Sequence, residues 1–555
     1  MKKNKIILAL FTAFFSLGLL SAQESENEDL EEISLPDVST VISGGAPKVG
    51  KSAVSGFSDV LPSDDPEIQE LIPRLPETSA ATALNSDSVV KASPEKSIYV
   101  EGLAGGGFPG FIAGNFKIYR ETGNNPFVVE FGHESANGYS GRNLSSAYSD
   151  RNTFISADKV FKTENLKIDI SGYFESSDNG LQDKFENISN VTKENFGGAF
   201  SLQKEIPHGM EFGFSAPGDW YKRYSTITGN PAVKIEDYAK NVGLVYFDPE
   251  FYFSWNFSGF SLKATAAYGL EYAEKDSFEN GRASNRGDFS VDFGWKNEVV
   301  DIFSSAGIVA GNHIGDNSVV VPFLAGVDFS FASAISSRKI KIGVKGGLDS
   351  FHPKIFSSEK NYLFAAAQIL PEETSDWFGS SKMVLPIKDR FTLSVEGEFR
   401  KSALGNGVFM PDYNTKKDLN ELFGQYVFVQ DELTQFNTDL NFGARFGNLD
   451  LSAGWKSFWA DVPSNKSNHF VSADISFQDE KARFGFNGKF GMSLDPDYDN
   501  TPEIDFEMFF RLTPAVRLAV SADDVVKLIT SGERDFAGKY ISRSGTAAVL
   551  VKFFF

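Results

Sequence analysis

The chain has 555 residues, a net charge of −21 and no cysteine, and it contains 54 Phe, 17 Tyr and 50 Gly. The lack of cysteine excludes disulfide scaffolds, thiol catalysis and Cys-ligated metal centres. An acidic chain without a cluster of Lys and Arg is also a poor candidate for nucleic-acid binding, because neutralising phosphates requires concentrated positive charge. A mean hydropathy of −0.21 excludes a polytopic helical membrane protein but is compatible with a membrane β-barrel, whose apolar residues alternate with polar ones.

The N-terminus has the pattern of a secretory signal peptide. Three lysines within the first five residues form a basic start, residues 6–20 are an apolar stretch without charge, and Ser21 and Ala22 supply small residues before an acidic run. This apolar stretch is short for a membrane-spanning helix, which needs about 20 residues. We therefore expect residues 1–22 to be a cleaved signal peptide and the mature chain to be exported.

The next segment, residues 23–96, differs in composition from everything that follows. Its part 24–96 contains 15 acidic and 5 basic residues, seven Pro and a single aromatic, Phe57. Such a segment buries little apolar surface, so we expect a largely disordered periplasmic or lumenal segment. One short stretch within it has strand-forming chemistry and is a candidate docking segment on the periplasmic side, where it would pair with an exposed sheet edge. The residues of this docking segment are Asp37, Val38, Ser39, Thr40, Val41, Ile42 and Ser43.

Residues 97–555 form a long body in which apolar and polar residues alternate. Phe289, Val291 and Phe293, for example, are separated by Ser290 and Asp292. A period of two places the two sets on opposite faces of a strand. More than a dozen such stretches follow in series, and most exceed the ~5–6 residues of an average soluble strand, which suits a tilted membrane crossing. This pattern predicts an all-β fold, a transmembrane antiparallel up-and-down β-barrel with its apolar faces toward lipid.

The strand count bears on the width of the barrel. We predict 22 strands, within a range of 20–24, by counting residues 241–257 as one strand with a bulge beside Pro249 and residues 362–385 as one strand plus a loop. An even number is required when both ends of a closed antiparallel sheet lie in the periplasm. Tight turns at 162–165, 447–448 and 513–515 alternate with longer polar loops, which is typical of outer-membrane barrels with short periplasmic turns.

The C-terminus ends on alternating apolar residues and a terminal aromatic. Val549, Val551, Phe553 and Phe555 share one parity, and this ending resembles the C-terminal strand signature by which outer-membrane barrels are recognised for assembly. We take Val551, Phe553 and Phe555 as the assembly signal. The expected location is the outer membrane of a diderm bacterium, and the expected partners are outer-membrane lipids and the barrel-assembly machinery.

In outline the chain resembles TonB-dependent outer-membrane transporters. The opening of the body at 101–110, followed by 127–131 and 133–139, is similar to the first barrel strands of one divergent branch, and residues 37–43 are similar to the short box that these transporters offer to their energising partner. The resemblance implies a barrel of about 22 strands, transport across the outer membrane and a periplasmic energising protein. The segment 24–96 is too short and too poor in apolar residues for the folded plug of the family, so we expect a relative without a full plug domain.

An enzymatic function is not expected. His133, Glu134 and Ser135 are adjacent and are residue types found in catalytic sites. On a strand, the side chains of His133 and Ser135 share one face and that of Glu134 lies on the other, so the three cannot converge. The remaining histidines are interpreted as solvated loop residues: His208, His313, His352 and His469.

Residues 495–500 imitate the start of a calcium loop. Asn500 holds the sixth position in place of Gly, and Phe506 holds the twelfth in place of Glu. Because these ligand and turn positions are missing, we expect a solvated acidic loop and no metal or other cofactor.

The predicted function is an outer-membrane transporter or channel. The alternatives are a passive porin and a structural or adhesin barrel that displays surface loops such as 401–432. Both signs of charge fall on the predicted lumen face, at Lys167, Asp169, Glu396 and Arg445 for example, so the sequence does not indicate the charge of a substrate.

Overall fold

The computed structural model describes residues 98–121, 125–138, 146–185, 187–227, 241–274, 277–278, 283–312, 319–403, 407–413, 424–459, 467–496, 499–537 and 539–555. The predicted signal peptide and the acidic segment 23–96, with the docking segment, lie outside the described residues. Within the described ranges, no helix is long and apolar enough to cross a membrane.

Strands dominate the described chain, and 24 of them form one large sheet. In chain order the strands are β1 (Tyr99–Phe108), β2 (Phe111–Arg120), β3 (Phe127–Asn137), β4 (Ser149–Lys162), β5 (Leu166–Gly180), β6 (Ile188–Ile206), β7 (Met210–Ile227), β8 (Val242–Phe247), β9 (Glu250–Phe257), β10 (Phe260–Ala273), β11 (Ala283–Lys296), β12 (Val300–Gly311), β13 (Val319–Val320), β14 (Phe323–Ala332), β15 (Lys339–Phe351), β16 (Ala365–Ala366), β17 (Thr374–Ile387), β18 (Phe391–Ser402), β19 (Val408–Pro411), β20 (Tyr426–Asp431), β21 (Thr434–Phe446), β22 (Leu449–Phe458), β23 (His469–Gln478), β24 (Phe484–Ser493), β25 (Glu503–Thr513), β26 (Val516–Asp523), β27 (Asp535–Ala537), β28 (Tyr540–Ile541) and β29 (Thr546–Phe554).

The large sheet closes on itself between its first and last strands. β1 pairs antiparallel with β2 on one side and with β29 on the other, so that Glu101 lies opposite both Lys117 and Phe554. The amide of Val100 donates to the carbonyl of Phe555 at 3.0 Å, and the amide of Phe555 donates back at 2.8 Å. A closed sheet leaves no free edge, which is the condition for a β-structure to span lipid.

We call each position of the barrel wall a stave, whether one strand or two short strands in line occupy it. Two staves consist of two short strands, and both interruptions coincide with proline. β8 and β9 both pair with β7 and with β10, and Asp248 and Pro249 separate them. β13 and β14 both pair with β12, and Pro322 precedes β14. Proline cannot donate a ladder hydrogen bond, so the ladder breaks there. Counting each interrupted pair as one stave, 24 − 2 gives 22, which confirms the predicted count and the prediction that residues 241–257 form one strand.

Apolar side chains of the staves face away from the lumen. Phe289 and Phe293 of β11 are 50% and 42% exposed, whereas Asp292 between them lies opposite Lys263 of β10 and Ser305 of β12. The same alternation repeats around the barrel, and a soluble protein would not expose so large an apolar surface. The outer surface therefore faces lipid, as predicted.

The two ends of the barrel differ in their connections. Tight turns such as 163–165, 447–448 and 514–515 lie at one end, together with the start of β1 and the end of β29. The longer connections all lie at the other end. Since outer-membrane barrels place short turns in the periplasm, we call the loop-bearing end the outer end.

The outer loops carry secondary structure of their own. They contain the helices α1 (Ile355–Asn361) and α2 (Val525–Thr530), a three-stranded sheet of β16, β20 and β19, and the pair β27 and β28. The wall also rises unevenly, since β6 and β7 have 19 and 18 residues, whereas β26 and β29 have 8 and 9. About 9–11 residues suffice to cross the membrane, so β6 and β7 project beyond it at the outer end.

Candidate functional site: a loop cap over the lumen

Outer loops meet in one hydrophobic cluster, to which Phe278 between β10 and β11 also contributes. We call the part of this cluster that four of the loops form the loop cap. These four loops are 181–187 (between β5 and β6), 352–373 (between β15 and β17, here named the inward loop), 403–433 (between β18 and β21) and 524–545 (between β26 and β29). Each loop contributes buried side chains to the cluster, namely Leu181, Phe364, Phe428 and Tyr540. Because these loops start from different sides of the barrel, their meeting places a packed core across the outer mouth.

Three of the loops meet at Tyr540. Its ring stacks on that of Phe364 in the inward loop, with centroids 3.9 Å apart and planes within 2° of parallel. Its hydroxyl donates to the carbonyl of Gly424, and the neighbouring amide of Lys539 donates to the hydroxyl of Tyr426 at 3.0 Å. Aromatic stacking and buried hydrogen bonds therefore tie loops 352–373, 403–433 and 524–545 together.

Strand pairing also links the inward loop to loop 403–433. β16 runs parallel to β20, with Ala365 opposite Tyr426, and β20 pairs antiparallel with β19, with Met410 opposite Val429. Backbone pairing satisfies the amide and carbonyl groups that the cap removes from water. The described strands β19 and β20 of the loop interpreted as a candidate for surface display, 401–432, thus belong to the cap.

The fourth loop is fastened by reciprocal hydrogen bonds. The side-chain amide of Gln182 donates to the carbonyl of Ile541 at 2.7 Å, and the amide of Ile541 donates back to Gln182 Oε1 at 3.0 Å. Both residues are buried. This pair joins loop 181–187 to loop 524–545.

The inward loop packs against a part of the inner wall several staves away from the strand where it starts. β15, where the loop starts, is the thirteenth of the 22 staves, but α1 packs against the inner faces of the fifth to eighth staves. The amide of Ile355 donates to the hydroxyl of Tyr246 at 3.1 Å, and Lys360 forms an ion pair with Glu175. The first part of the loop therefore follows the inner wall, from His352 beside Glu271 on the ninth stave to Lys360 on the fifth. Its later part turns away from this wall, where Phe364 contacts the loop that follows the twenty-first stave.

A buried ion pair lies at the point where α1 meets this wall. Arg223 of β7 pairs with Glu359, and the two side chains are 3% and 0% exposed. The hydroxyl of Tyr221 donates to Glu359 Oε2 at 2.5 Å, and the amide of Ala367 donates to Oε1 at 2.8 Å. Lys193 of β6 donates to the Glu359 carbonyl at 2.6 Å. A buried carboxylate needs such partners, because removing one partner of a buried pair costs about 3–5 kcal/mol.

Charged residues also pair beside the foot of the inward loop. His352 Nε2 lies 3.0 Å from Glu271, and its Nδ1 lies 3.8 Å from Glu373, which also pairs with Arg286 at 3.1 Å. The prediction that His352 is a solvated loop residue is therefore wrong, since the inward fold of the loop places it between Glu271 of the wall and Glu373 at the end of the same loop. His469 likewise lies 2.9 Å from the hydroxyl of Ser457, and His313 lies outside the described residues.

The adjacent residues 133–135 do not converge. His133 Nδ1 lies 2.8 Å from Thr153 Oγ1, whereas Glu134 forms an ion pair with Arg543 of loop 524–545 at 2.6 Å. Val129 and Phe131, which share the parity of His133, are exposed to lipid. The structure thus places Glu134 on the lumen face and His133 on the other, as the parity argument predicted.

In the acidic stretch 495–500, the described carboxylates Asp495 and Asp499 are buried or paired, so the prediction of a solvated loop is wrong for these two residues. Asp495 is buried, and Asp499 forms an ion pair with Lys527 of α2 at 2.9 Å. Burial alone would raise the pKa of Asp499, but hydrogen bonds from Thr501 and the charge of Lys527 outweigh it and lower the pKa to about 2. These carboxylates serve to fix one loop against another.

A carboxylate cluster on the lumen face of β25 and β26 was not found from the sequence. Ligand atoms of Glu503, Asp505 and Asp523 lie within 4.8 Å of one another, because Asp505 and Asp523 occupy neighbouring positions on adjacent strands. Carboxylates suit hard cations such as Ca²⁺. Among the described residues, these three carboxylates are the group close enough together to hold one metal ion.

The predicted assembly residues lie on the lipid-facing side of the closing strand. Val549 and Phe555 are exposed, and Leu550 and Lys552 on the other face are buried. Val551 and Phe553 share the parity of Val549 on β29.

No model of a known protein family matches the sequence, and no curated protein matches it significantly. Solved structures do match. The FrpB iron transporter from Neisseria meningitidis is 8% identical, with a TM-score of 0.61, over 83% of this chain and 82% of that chain. The copper transporter OprC is 9% identical, with a TM-score of 0.61, over 83% and 81%. The siderophore receptor PirA from Pseudomonas aeruginosa is 8% identical, with a TM-score of 0.59, over 84% and 81%.

The chain has the barrel fold of these outer-membrane receptors. The resemblance to this fold that the sequence predicted is therefore confirmed. A closed barrel of this size with a lipid-facing belt is an outer-membrane β-barrel, which also confirms the predicted location. The neighbours' titles describe transporters and receptors.

Proposed function

We propose that this protein is a gated outer-membrane transporter, and that the loop cap is its outer gate. The observation that carries this proposal is the meeting of loops from different sides of the barrel, where Phe364 of the inward loop, which follows the thirteenth stave, stacks on Tyr540, which follows the twenty-first. A barrel of 22 staves has a lumen too wide for its own side chains to fill. Controlled passage through such a lumen therefore requires a packed element across its mouth.

The cap weighs against the two alternatives. A passive porin needs a lumen that stays open to water, whereas Phe364, Tyr540 and their neighbours form a buried core over the mouth. An adhesin barrel would project its loops outward, whereas 403–433 pairs through β20 with the inward loop.

For the solute, the structural neighbours supply the first class to test. Their titles name an iron transporter, a copper transporter and a siderophore receptor. We propose that this barrel transports solutes of comparable kind, metal ions or metal-bearing compounds. The mixed charge of the lumen wall, with ion pairs such as Lys382 with Glu396 at 3.2 Å, suits polar solutes.

We also propose that opening is energised from the periplasm. The support is the resemblance of Asp37–Ser43 to the partner-binding box and the TonB-dependent character of the fold neighbours. A closed gate held by buried contacts does not open without an input of free energy, which a periplasmic partner could supply.

The test is to remove the inward loop without disturbing the barrel. Phe351 and Thr374 are directly paired on β15 and β17, so a two-residue Asn-Gly turn can replace residues 352–373 with hairpin geometry. We expect the single-channel conductance of this variant in a planar bilayer to rise well above that of the full chain. The same turn in place of residues 311–318, between the directly paired Ala310 and Val319 and outside the cap, serves as a control for loop shortening. Equal conductance of the full chain and the loop-replacement variant would contradict the proposal.

A further inference from the structure

We propose that the wall beneath α1 is a binding site for an oxyanion-bearing ligand, and that Glu359 of the inward loop occupies it as an internal substitute. This inference rests on the proposed gate and names the chemistry that opens it. The site consists of Lys193, Tyr221 and Arg223, which lie on the lumen faces of β6 and β7.

The first observation is that two cations lie directly opposite each other. Lys193 and Arg223 are cross-strand partners in the β6–β7 register, and the two residues are 2% and 3% exposed. Like charges in this arrangement destabilise a sheet, and burial adds the cost of removing each charge from water. A buried pair of cations at one level of the wall therefore requires an anion.

The second observation is where these cations find their partners. Arg223 contacts the Glu359 carboxylate and the carbonyl of Ala367 at 3.2 Å, and Lys193 contacts the carbonyls of Glu359 and Leu363 at 2.6 and 3.2 Å. Among the described residues, every hydrogen-bond partner of the two side chains belongs to the inward loop. If the loop moves away, both cations lose all of these contacts together.

The chemistry of the wall groups defines the class of ligand. A guanidinium, an ammonium and a phenol hydroxyl are all donors, and an arginine fork matches the geometry of carboxylate or phosphate. Tyr221 donates to Glu359 at 2.5 Å, so the hydroxyl is already directed at an oxygen of the internal carboxylate. A ligand carrying carboxylate or phosphate groups would satisfy the same donors and release the loop.

In this arrangement the ligand competes with Glu359 for the same donors, and ligand binding is therefore coupled to gate opening. The carboxylate of the loop and the oxyanion of the ligand cannot both occupy the donors. Binding of the ligand therefore shifts the loop toward its released state by the difference in affinity between the two anions.

Isothermal titration calorimetry on the full-length chain in detergent tests the inference, with citrate and inorganic phosphate as separate probes and sodium chloride at matched ionic strength as the blank. Glu359→Gln removes the internal competitor and keeps its size, so it should bind at least one probe at least about tenfold more tightly than the unmodified chain, a difference of about 1.4 kcal/mol. Which probe gains shows whether carboxylate or phosphate is the preferred group. Adding Lys193→Met and Arg223→Met to Glu359→Gln should abolish the gain.

Two further variants keep the test decisive. Asp301→Asn removes an ion pair with Lys296 at the periplasmic end, outside the cap, and should leave probe affinity unchanged. The variant in which a turn replaces residues 352–373 exposes the same cations even if Glu359→Gln destabilises the loop, and it should also bind the probe. If neither Glu359→Gln nor the loop replacement binds citrate or phosphate more tightly, the inference is wrong and Glu359 serves only to fasten the loop.

The readouts separate this inference from the proposed function. Tighter probe binding without any rise in conductance on loop replacement would support the oxyanion site and overturn the gate. A rise in conductance without tighter probe binding would support the gate and overturn the oxyanion site.

Discussion

Phe364 and Tyr540 stack face to face with ring centroids 3.9 Å apart, although one follows β15 and the other follows β26. Their contact joins loops that leave the barrel at the thirteenth and the twenty-first staves. Because a lone aromatic pair contributes only about 0.5–1.5 kcal/mol beyond its burial, the contact is better suited to a cap that opens than to a permanent closure.

A reversible cross-link between these two positions should hold the gate shut. The chain has no cysteine, so Phe364→Cys with Tyr540→Cys introduces the only thiols. We expect a short bifunctional thiol reagent with a reducible disulfide in its spacer to abolish solute uptake, and a reductant to restore it, because the two loops can separate only in the reduced state. Each single cysteine variant, treated identically, is the control. Uptake that persists in the fully cross-linked protein would show that the cap does not open at this contact.

The orientation of β11 can be tested at adjacent positions. Phe293→Lys places a charge on the lipid face, which costs about 2–4 kcal/mol near the membrane midplane, whereas Asp292→Asn changes a lumen residue opposite Lys263. The expected result is a strong loss of heat-modifiable barrel for Phe293→Lys and near-normal assembly for Asp292→Asn. Equal assembly of both variants would argue against the assigned faces.

The closing strand should be essential for assembly. Deleting residues 553–555 removes the pairing of Phe553 with Gly102 and of Phe554 with Glu101, together with the backbone exchange between Phe555 and Val100. We expect the truncated chain to be secreted but not inserted, since lipid cannot solvate the exposed edge of β1. Surface labelling of intact cells measures this, with Phe555→Tyr as a control that keeps the aromatic end. Normal labelling of the truncated chain would contradict the role of the assembly residues.

Acid should loosen the corner of the cap at α2. The pKa of Asp499 is lowered to about 2 in the folded chain, below the ordinary value of about 3.9, so its stabilising effect is complete above pH ~4 and is lost as the pH falls toward 2. As the pH falls from about 4 to about 2, pepsin cleavage of the unmodified chain near residues 499–530 should therefore accelerate relative to cleavage of the Asp499→Asn variant at the same pH. A constant ratio of the two rates across this range would show that the ion pair with Lys527 does not stabilise the corner.

The proposed docking segment can be tested without altering the barrel. Val41→Pro removes an amide donor and fixes φ, so it should prevent residues 37–43 from pairing as a strand with a periplasmic partner. We expect uptake to be lost while barrel assembly and conductance stay unchanged. Ala53→Pro, in the same acidic segment but outside the docking segment, is the control. Conductance that changes in the Val41→Pro variant while uptake persists would instead indicate that the segment acts on the lumen.

The local pattern of the sequence determined most of the barrel. An alternation such as Phe289, Val291 and Phe293 against Ser290 and Asp292 specifies a strand and its two faces by itself, because successive side chains of a strand point to opposite sides. Pro249 likewise marked the interruption of one stave, since proline cannot donate to the ladder. The count of 22 staves followed from summing such local signals along the chain.

Only the tertiary structure decided what the loops do. Arg223 and Glu359 are separated by 136 residues, and neither has a neighbour in sequence that marks it as part of a buried pair. Their contact exists because the inward loop, which starts at the thirteenth stave, folds into the closed barrel and follows its inner wall as far as the seventh stave and beyond. The same closure turned His352 from an expected solvated residue into a partner of Glu271. Strand periodicity is a local property, whereas loop packing depends on which staves the closed barrel places opposite one another, and no short stretch of sequence carries that information.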